Sequence, residues 1–85
     1  MADITRQDTF DKVVALIAEK LSIDPKTITG SSTLHDLGAD SIDLVKIVMG
    51  LEEQLDISIN DEDAEHLKNV DDVVDYVHRL RTARE

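Results

Sequence analysis

The sequence predicts an all-α fold, a small four-helix bundle with three longer helices, one short helix and a long loop between the first two. Three observations carry this. Apolar residues recur at helical spacing in three separate stretches, no stretch makes a convincing strand, and 85 residues leave room for a single domain, 1–85. A chain of this size buries a modest share of its surface, so its core has to be simple and well patterned.

In the first stretch Phe10, Val13, Val14, Ile17 and Leu21 follow i, i+3, i+4, i+7 and i+11, which is one helix face. Asp8 or Thr9 is the expected cap. The helix should end near Ser22, because the residue before Pro25 is steered out of the helical region. Residues 22–39 then read as a long loop rich in Ser, Thr, Asp and Gly, with Ile23, Ile28, Leu34 and Leu37 as its anchors to the core. A loop this long in so small a domain is more often functional than idle.

The second helix should run from Ser41 to about Leu55. Leu44, Ile47, Val48, Leu51 and Leu55 form its core stripe, and Ile42, Val45 and Met49 form a second apolar set on another face. A helix with two apolar faces is either deeply buried or binds something with the second one. Gly50 costs about 1 kcal/mol relative to alanine in a helix interior, which implies a close approach there. Asn60 can cap a brief acidic helix from Asp61 to about Glu65, with Leu67 as its anchor. The last helix should span about Val70 to Leu80, with Val70, Val73, Val74, Val77 and Leu80 inward. The ordered part is then about residues 7–80, with 82–85 a frayed tail.

The charge is unevenly spread. Of the net −10, residues 36–65 hold −9, with ten acids against Lys46 alone. Such a surface argues against nucleic acid or an anionic membrane as partner. No stretch approaches the roughly 18 apolar residues of a membrane span, and the start lacks a signal-peptide pattern, so stable membrane insertion is not expected and a cytoplasmic location is. The absence of cysteine removes disulfides, thiolate metal sites and an intrinsic thiol nucleophile.

Enzyme readings are weak. His35, His66 and His78 stand alone in their segments and read as surface residues. No nucleophile-elbow pattern surrounds Ser41. The acids Asp61, Asp63 and Glu65 with His66 lack the glycine turn and closing glutamate of an EF-hand, so no metal site is assigned. The sharpest local feature is 36–44, Asp-Leu-Gly-Ala-Asp-Ser-Ile-Asp-Leu. There Asp40 is a good N-cap, Asp43 can reach back as a shortened capping box, and Ser41 takes the first helical position with its hydroxyl outward.

With Gly38-Ala39-Asp40-Ser41-Ile42, the acidic two-faced helix through Val48-Met49 and Leu51-Glu52-Glu53, and the run Asp61-Glu62-Asp63-Ala64-Glu65, the chain resembles the acyl carrier protein family over about residues 7–80. The resemblance implies a noncatalytic carrier and a monomer. A transferase would attach 4'-phosphopantetheine from coenzyme A to Ser41, and the arm's thiol would hold acyl groups as thioesters for fatty-acid, related lipid or polyketide synthesis. It also implies partners with basic patches: the phosphopantetheinyl transferase, and acyl-synthase and acyltransferase enzymes. Asp40, Ile42, Asp43, Val45, Met49, Glu52 and Glu53 are the expected partner face. Leu44, Val48, Leu51, Leu55, Ala64 and Leu67 are candidates for an acyl-chain lining. Several positions depart from the family's common pattern: Ile42 for leucine, Lys46 for an acid, Gly50 for alanine, Asn60 for proline and the large Leu44. Both the housekeeping carrier and one specialised for a second acyl pathway stay open. The rivals from other classes are a cofactor-free acidic helical adaptor for basic proteins and a divalent-ion sensor built on 61–66.

Overall fold

The computed structural model describes residues 4–83. They form α1 (Arg6–Leu21), a 3-10 turn (Pro25–Thr27), α2 (Ser41–Leu55), α3 (Asp61–Ala64) and α4 (Val70–Thr82). Among the described residues the one sheet-like pairing is an isolated antiparallel bridge between Thr33 and Asn69. The all-α expectation therefore holds, with the long loop where the sequence placed it.

The helix α1 is the hub, packing against both α4 and α2. Its Val13 and Ile17 are sealed from solvent, as are Val70, Val74 and Val77 of α4, while Ile47 and Leu51 of α2 close the other side. Each such side chain contributes about 1.5–3 kcal/mol of burial. Phe10 and Leu21, placed on the same face by the periodicity, are only half-buried. Gly50 faces α1: a Cβ there would meet the Leu16 methyls at 3.0 and 3.1 Å. The close approach inferred from a mid-helix glycine is thus present, and Leu16 is its other half.

The sequence expectation for the start of α1 needs correcting. The cap is Thr5, whose Oγ1 accepts from the Asp8 amide at 3.0 Å. Thr9 instead lies inside the helix, fully buried. The first turn carries no large apolar residue, so periodicity could not see it. Ion pairs hold it in place: Arg6 reaches Asp75 at 2.8 Å and Asp71 at 3.2 Å. The C-terminal boundary stands, with Ser22 in the left-handed region at φ 57 as the cap.

The last helix runs longer than expected. Thr82 is helical and Ala83 caps it, so the tail does not begin at 82. Arg81 anchors this turn, donating to Thr9 Oγ1 at 2.9 Å and pairing with Asp8 at 3.1 Å. His78 also contacts Thr9 Oγ1, at 3.0 Å through Nδ1, and is half-buried. It is therefore not the surface histidine that the sequence suggested; His35 and His66 are exposed. The rest of the expected frayed end, 84–85, lies outside the described residues, as does 1–3. A second correction concerns the start of α4, where Asn69 and Asp72 form a capping box that the periodicity did not show.

The short helix α3 is held mainly by polar ties. Asn60 caps it through the Glu62 amide at 2.8 Å, and Ala64 is its one buried residue. Just before it, Ile57 and Ile59 enter the core on alternate positions. Glu52 Oε2 accepts from the Ile59 amide at 2.9 Å, and the Tyr76 hydroxyl donates to Asp63 at 2.8 Å. A four-residue helix cannot hold itself. Burial first, and the Asp63 carboxylate second, hold the Tyr76 phenol above its ordinary range.

The folded protein therefore binds that proton more tightly than the unfolded chain. Its stabilisation is fully present below the unfolded phenol value of about 10 and is lost as the pH rises through the folded one. Denaturant titrations should show stability falling above about pH 10. In Tyr76→Phe the phenol's part of that slope should vanish, and about 1 kcal/mol should be lost near neutral pH. An unchanged slope would place the tyrosine proton outside the stability balance.

The start of the second helix as candidate functional site

Three structural steps bring Ser41 to the surface. The loop is first fixed to α4: Leu34 N donates to Lys68 O at 3.1 Å, Val70 N to Ser32 O at 2.9 Å, and Asp71 N to Gly30 O at 2.9 Å. A Cβ at Gly30 would strike the Asp71 carboxylate, so a larger residue there requires that side chain to move. Of the expected anchors, Ile28 and Leu34 are buried, and Ile23 and Leu37 are partly buried against the core.

The loop then turns once. Asp36 N donates to Thr33 Oγ1 at 3.0 Å and Leu37 N to Thr33 O at 3.1 Å. The turn closes through Gly38 N to His35 O and Ala39 N to Leu34 O, each at 3.0 Å. Gly38 has φ +88, a conformation that favours glycine.

The third step is the cap. Asp43 N donates to Asp40 Oδ1 at 2.9 Å and Asp40 N to Asp43 Oδ2 at 3.2 Å, the reciprocal box expected from the sequence. Both carboxylates also lie at the positive end of the helix dipole. Ser41 follows as the first helical residue, exposed. Among the described residues no hydrogen bond engages its hydroxyl.

Two cavities open beside this hydroxyl. One, of about 640 Å³, lies on the loop side against Leu34, Leu44 and Leu67. The other, of about 490 Å³, is a groove between α2 and α3 bounded by Leu44, Val48 and Ala64. Of the six residues named for an acyl lining, Leu44, Val48, Ala64 and Leu67 thus border the two cavities. Leu51 is sealed in the core, and Leu55 is half-buried and borders neither of these two.

The seven residues named for a partner face fall into three groups. Ile42, Val45 and Met49 are 64, 56 and 55 % exposed, and Glu53 is exposed beside them. Asp40 and Asp43 are occupied with the cap. Glu52 is tied to Ile59 and lines the groove, which gives it an internal role that sequence reasoning missed. The alternation of Ile57 and Ile59 was the available signal that this segment turns inward. Among the described residues no group of three or more His, Asp or Glu is placed to hold a metal ion.

A free primary alcohol at a helix start, with cavities on both sides, fits a covalently attached arm. The surrounding acids would repel a free anion. Comparison with known proteins points the same way. A family model described as "Phosphopantetheine attachment site" matches residues 11–77. The chain belongs to the acyl carrier protein family.

It is 54 % identical over 69 residues to an acyl carrier protein of Clostridium perfringens, covering 80 % of this chain and 91 % of the relative. To an acyl carrier protein of Campylobacter jejuni it is 47 % identical over 74 residues, covering 86 % and 96 %. The crystal structure of an acyl carrier protein from Thermotoga maritima superposes with a TM-score of 0.83 at 30 % identity, covering 94 % of each chain. The carrier therefore has the phosphopantetheine-attachment domain and the helical fold of its relatives. No described helix is long and apolar enough to cross a membrane.

The geometry of Gly38 gives a direct check on how Ser41 is positioned. A Cβ there meets nothing within 4 Å, so Gly38→Ala adds backbone strain alone. It should lower stability by about 1–2 kcal/mol, and Gly38→Asn by less, as read by denaturant unfolding. Equal losses for the two variants would mean that the positive φ is not what the glycine provides.

Proposed function

We propose that Ser41 carries the 4'-phosphopantetheine arm and that the protein presents acyl groups on it to enzymes of fatty-acid synthesis or a related acyl pathway. The observation that carries this is the exposed Ser41 hydroxyl, unengaged among the described residues, next to the Asp40–Asp43 box. In loading, the Ser41 oxygen bonds to the phosphorus bearing the pantetheine of coenzyme A. The pyrophosphate linkage breaks, adenosine 3',5'-bisphosphate leaves, and the hydroxyl proton passes to the transferase. When bound, the arm supplies a thiol that holds acyl groups as thioesters. The chain has no cysteine of its own, so no internal thiol competes. The carrier performs no catalysis in this reading.

Partners are enzymes with basic docking patches, the phosphopantetheinyl transferase among them. Residues 36–65, at net −9, would steer the encounter. The exposed Ile42, Val45 and Met49 would fix the docked pose, with Asp40, Asp43 and Glu53 around them. Leu44, Val48 and Ala64 are proposed to shelter the acyl chain in the groove. The acidic, cysteine-free chain suits a reducing cytoplasm.

Intact mass measured after incubation with coenzyme A and a broad-specificity phosphopantetheinyl transferase should rise by one phosphopantetheine. Ser41→Ala should abolish the gain completely. No gain in the unaltered chain, or a gain that survives the substitution, would refute the assignment.

Lys46 is the single base of the acidic third and is exposed. Lys46→Glu should speed association with a basic partner enzyme by roughly two- to threefold at low salt, the difference fading as salt rises. Stopped-flow rates that do not differ at any salt concentration would put Lys46 off the interface.

A further inference from the structure

Ser41 borders two cavities of different electrical character, one strongly acidic and one near balance. The groove between α2 and α3 is bounded by Glu52, Asp61 and Glu65 with no base. The loop-side cavity is bounded by Lys68 and His35, with Asp40 as its one acid. The phosphodiester of the arm is an anion held at Ser41, so Coulomb energy separates the two directions it can take. Towards the groove it meets three carboxylates and no base; towards the loop it meets the Lys68 ammonium and the His35 imidazole against the single carboxylate of Asp40.

The shape agrees with the charge. Next to the phosphate ester the arm has a branched dimethyl carbon, its most apolar point. The loop-side cavity offers Leu34, Ala39, Leu44 and Leu67 as walls. We propose that this cavity seats the phosphate and pantoyl segment of the arm, with Lys68 as the phosphate's counter-ion, leaving the groove for the uncharged acyl end. The proposal rests on Ser41 as the attachment residue.

Lys68 is exposed, and its backbone does the structural work here: its carbonyl accepts from Leu34 and its amide donates to Asp72 Oδ2 at 3.3 Å. Its side chain can therefore be changed without breaking those bonds.

The experiment uses isotope-labelled protein loaded with unlabelled phosphopantetheine, with loading verified by intact mass. Isotope-filtered NMR should show contacts from the pantoyl methyls to the Leu34 and Leu67 methyls, and loading should shift the amides of 33–39 and 67–68. In Lys68→Glu those contacts should be lost and the phosphorus resonance should move towards that of free phosphopantetheine, with loading still complete. Lys68→Arg should keep both. Contacts confined to Val48, Met49 and Ala64, no contacts at all, or contacts unchanged in Lys68→Glu would each overturn the proposal. A chain that gains no mass would overturn the attachment reading itself, which separates the two failures.

Discussion

Everything in this domain hangs on the apolar contact that α1 makes on two sides. Val13 and Ile17 are sealed between the valines of α4 and the Ile47–Leu51 pair of α2. No disulfide or large aromatic cluster supports the fold; the chain has no cysteine, one phenylalanine, one tyrosine and no tryptophan. The core is aliphatic and small, so the parts away from α1 depend on polar ties. The loop is bonded to the start of α4, α3 hangs from Glu52 and Tyr76, and the ends of α1 and α4 meet at Thr9 and Arg81.

The same division organises the charge. Many acids do local work: Asp40, Asp43 and Asp72 complete capping boxes at helix starts, and Asp71 and Asp75 of α4 hold Arg6. Carboxylates at such positions satisfy amides that would otherwise lack partners. What stays exposed and unused along α2 lies beside three large apolar side chains. A helix with its core stripe on α1 has only its outer face left for other molecules, and here that face is both acidic and apolar.

Where a helix is marked by repeating apolar side chains, the sequence shows it clearly. The limits of α2, the Asp40–Asp43 box, the close approach at Gly50 and the anchors Ile28 and Leu34 could all be read from residue types and spacing. The misses share a cause. Thr5, Asn69 and Arg81 act through polar bonds to residues distant in sequence or one turn away, and such bonds leave no period. Thr9 looked like a cap because threonine favours caps, yet its burial is decided by Arg81 and His78, some 70 positions later. Ser41 was legible as a helix start from physics alone; its proposed role as a modified serine came from the wider match of the chain to its family.

The meeting of Gly50 with Leu16 has a consequence for how this sequence can drift. The gap between α1 and α2 is set by two side chains together, one absent and one branched. A methyl added at 50 would gain helix propensity of about 1 kcal/mol, but it lands 3.0–3.1 Å from the leucine methyls and demands that they give way. The two positions therefore form one unit of variation. Changes at 50 and 16 should be non-additive, with a methyl at 50 accommodated more easily when the residue at 16 is smaller.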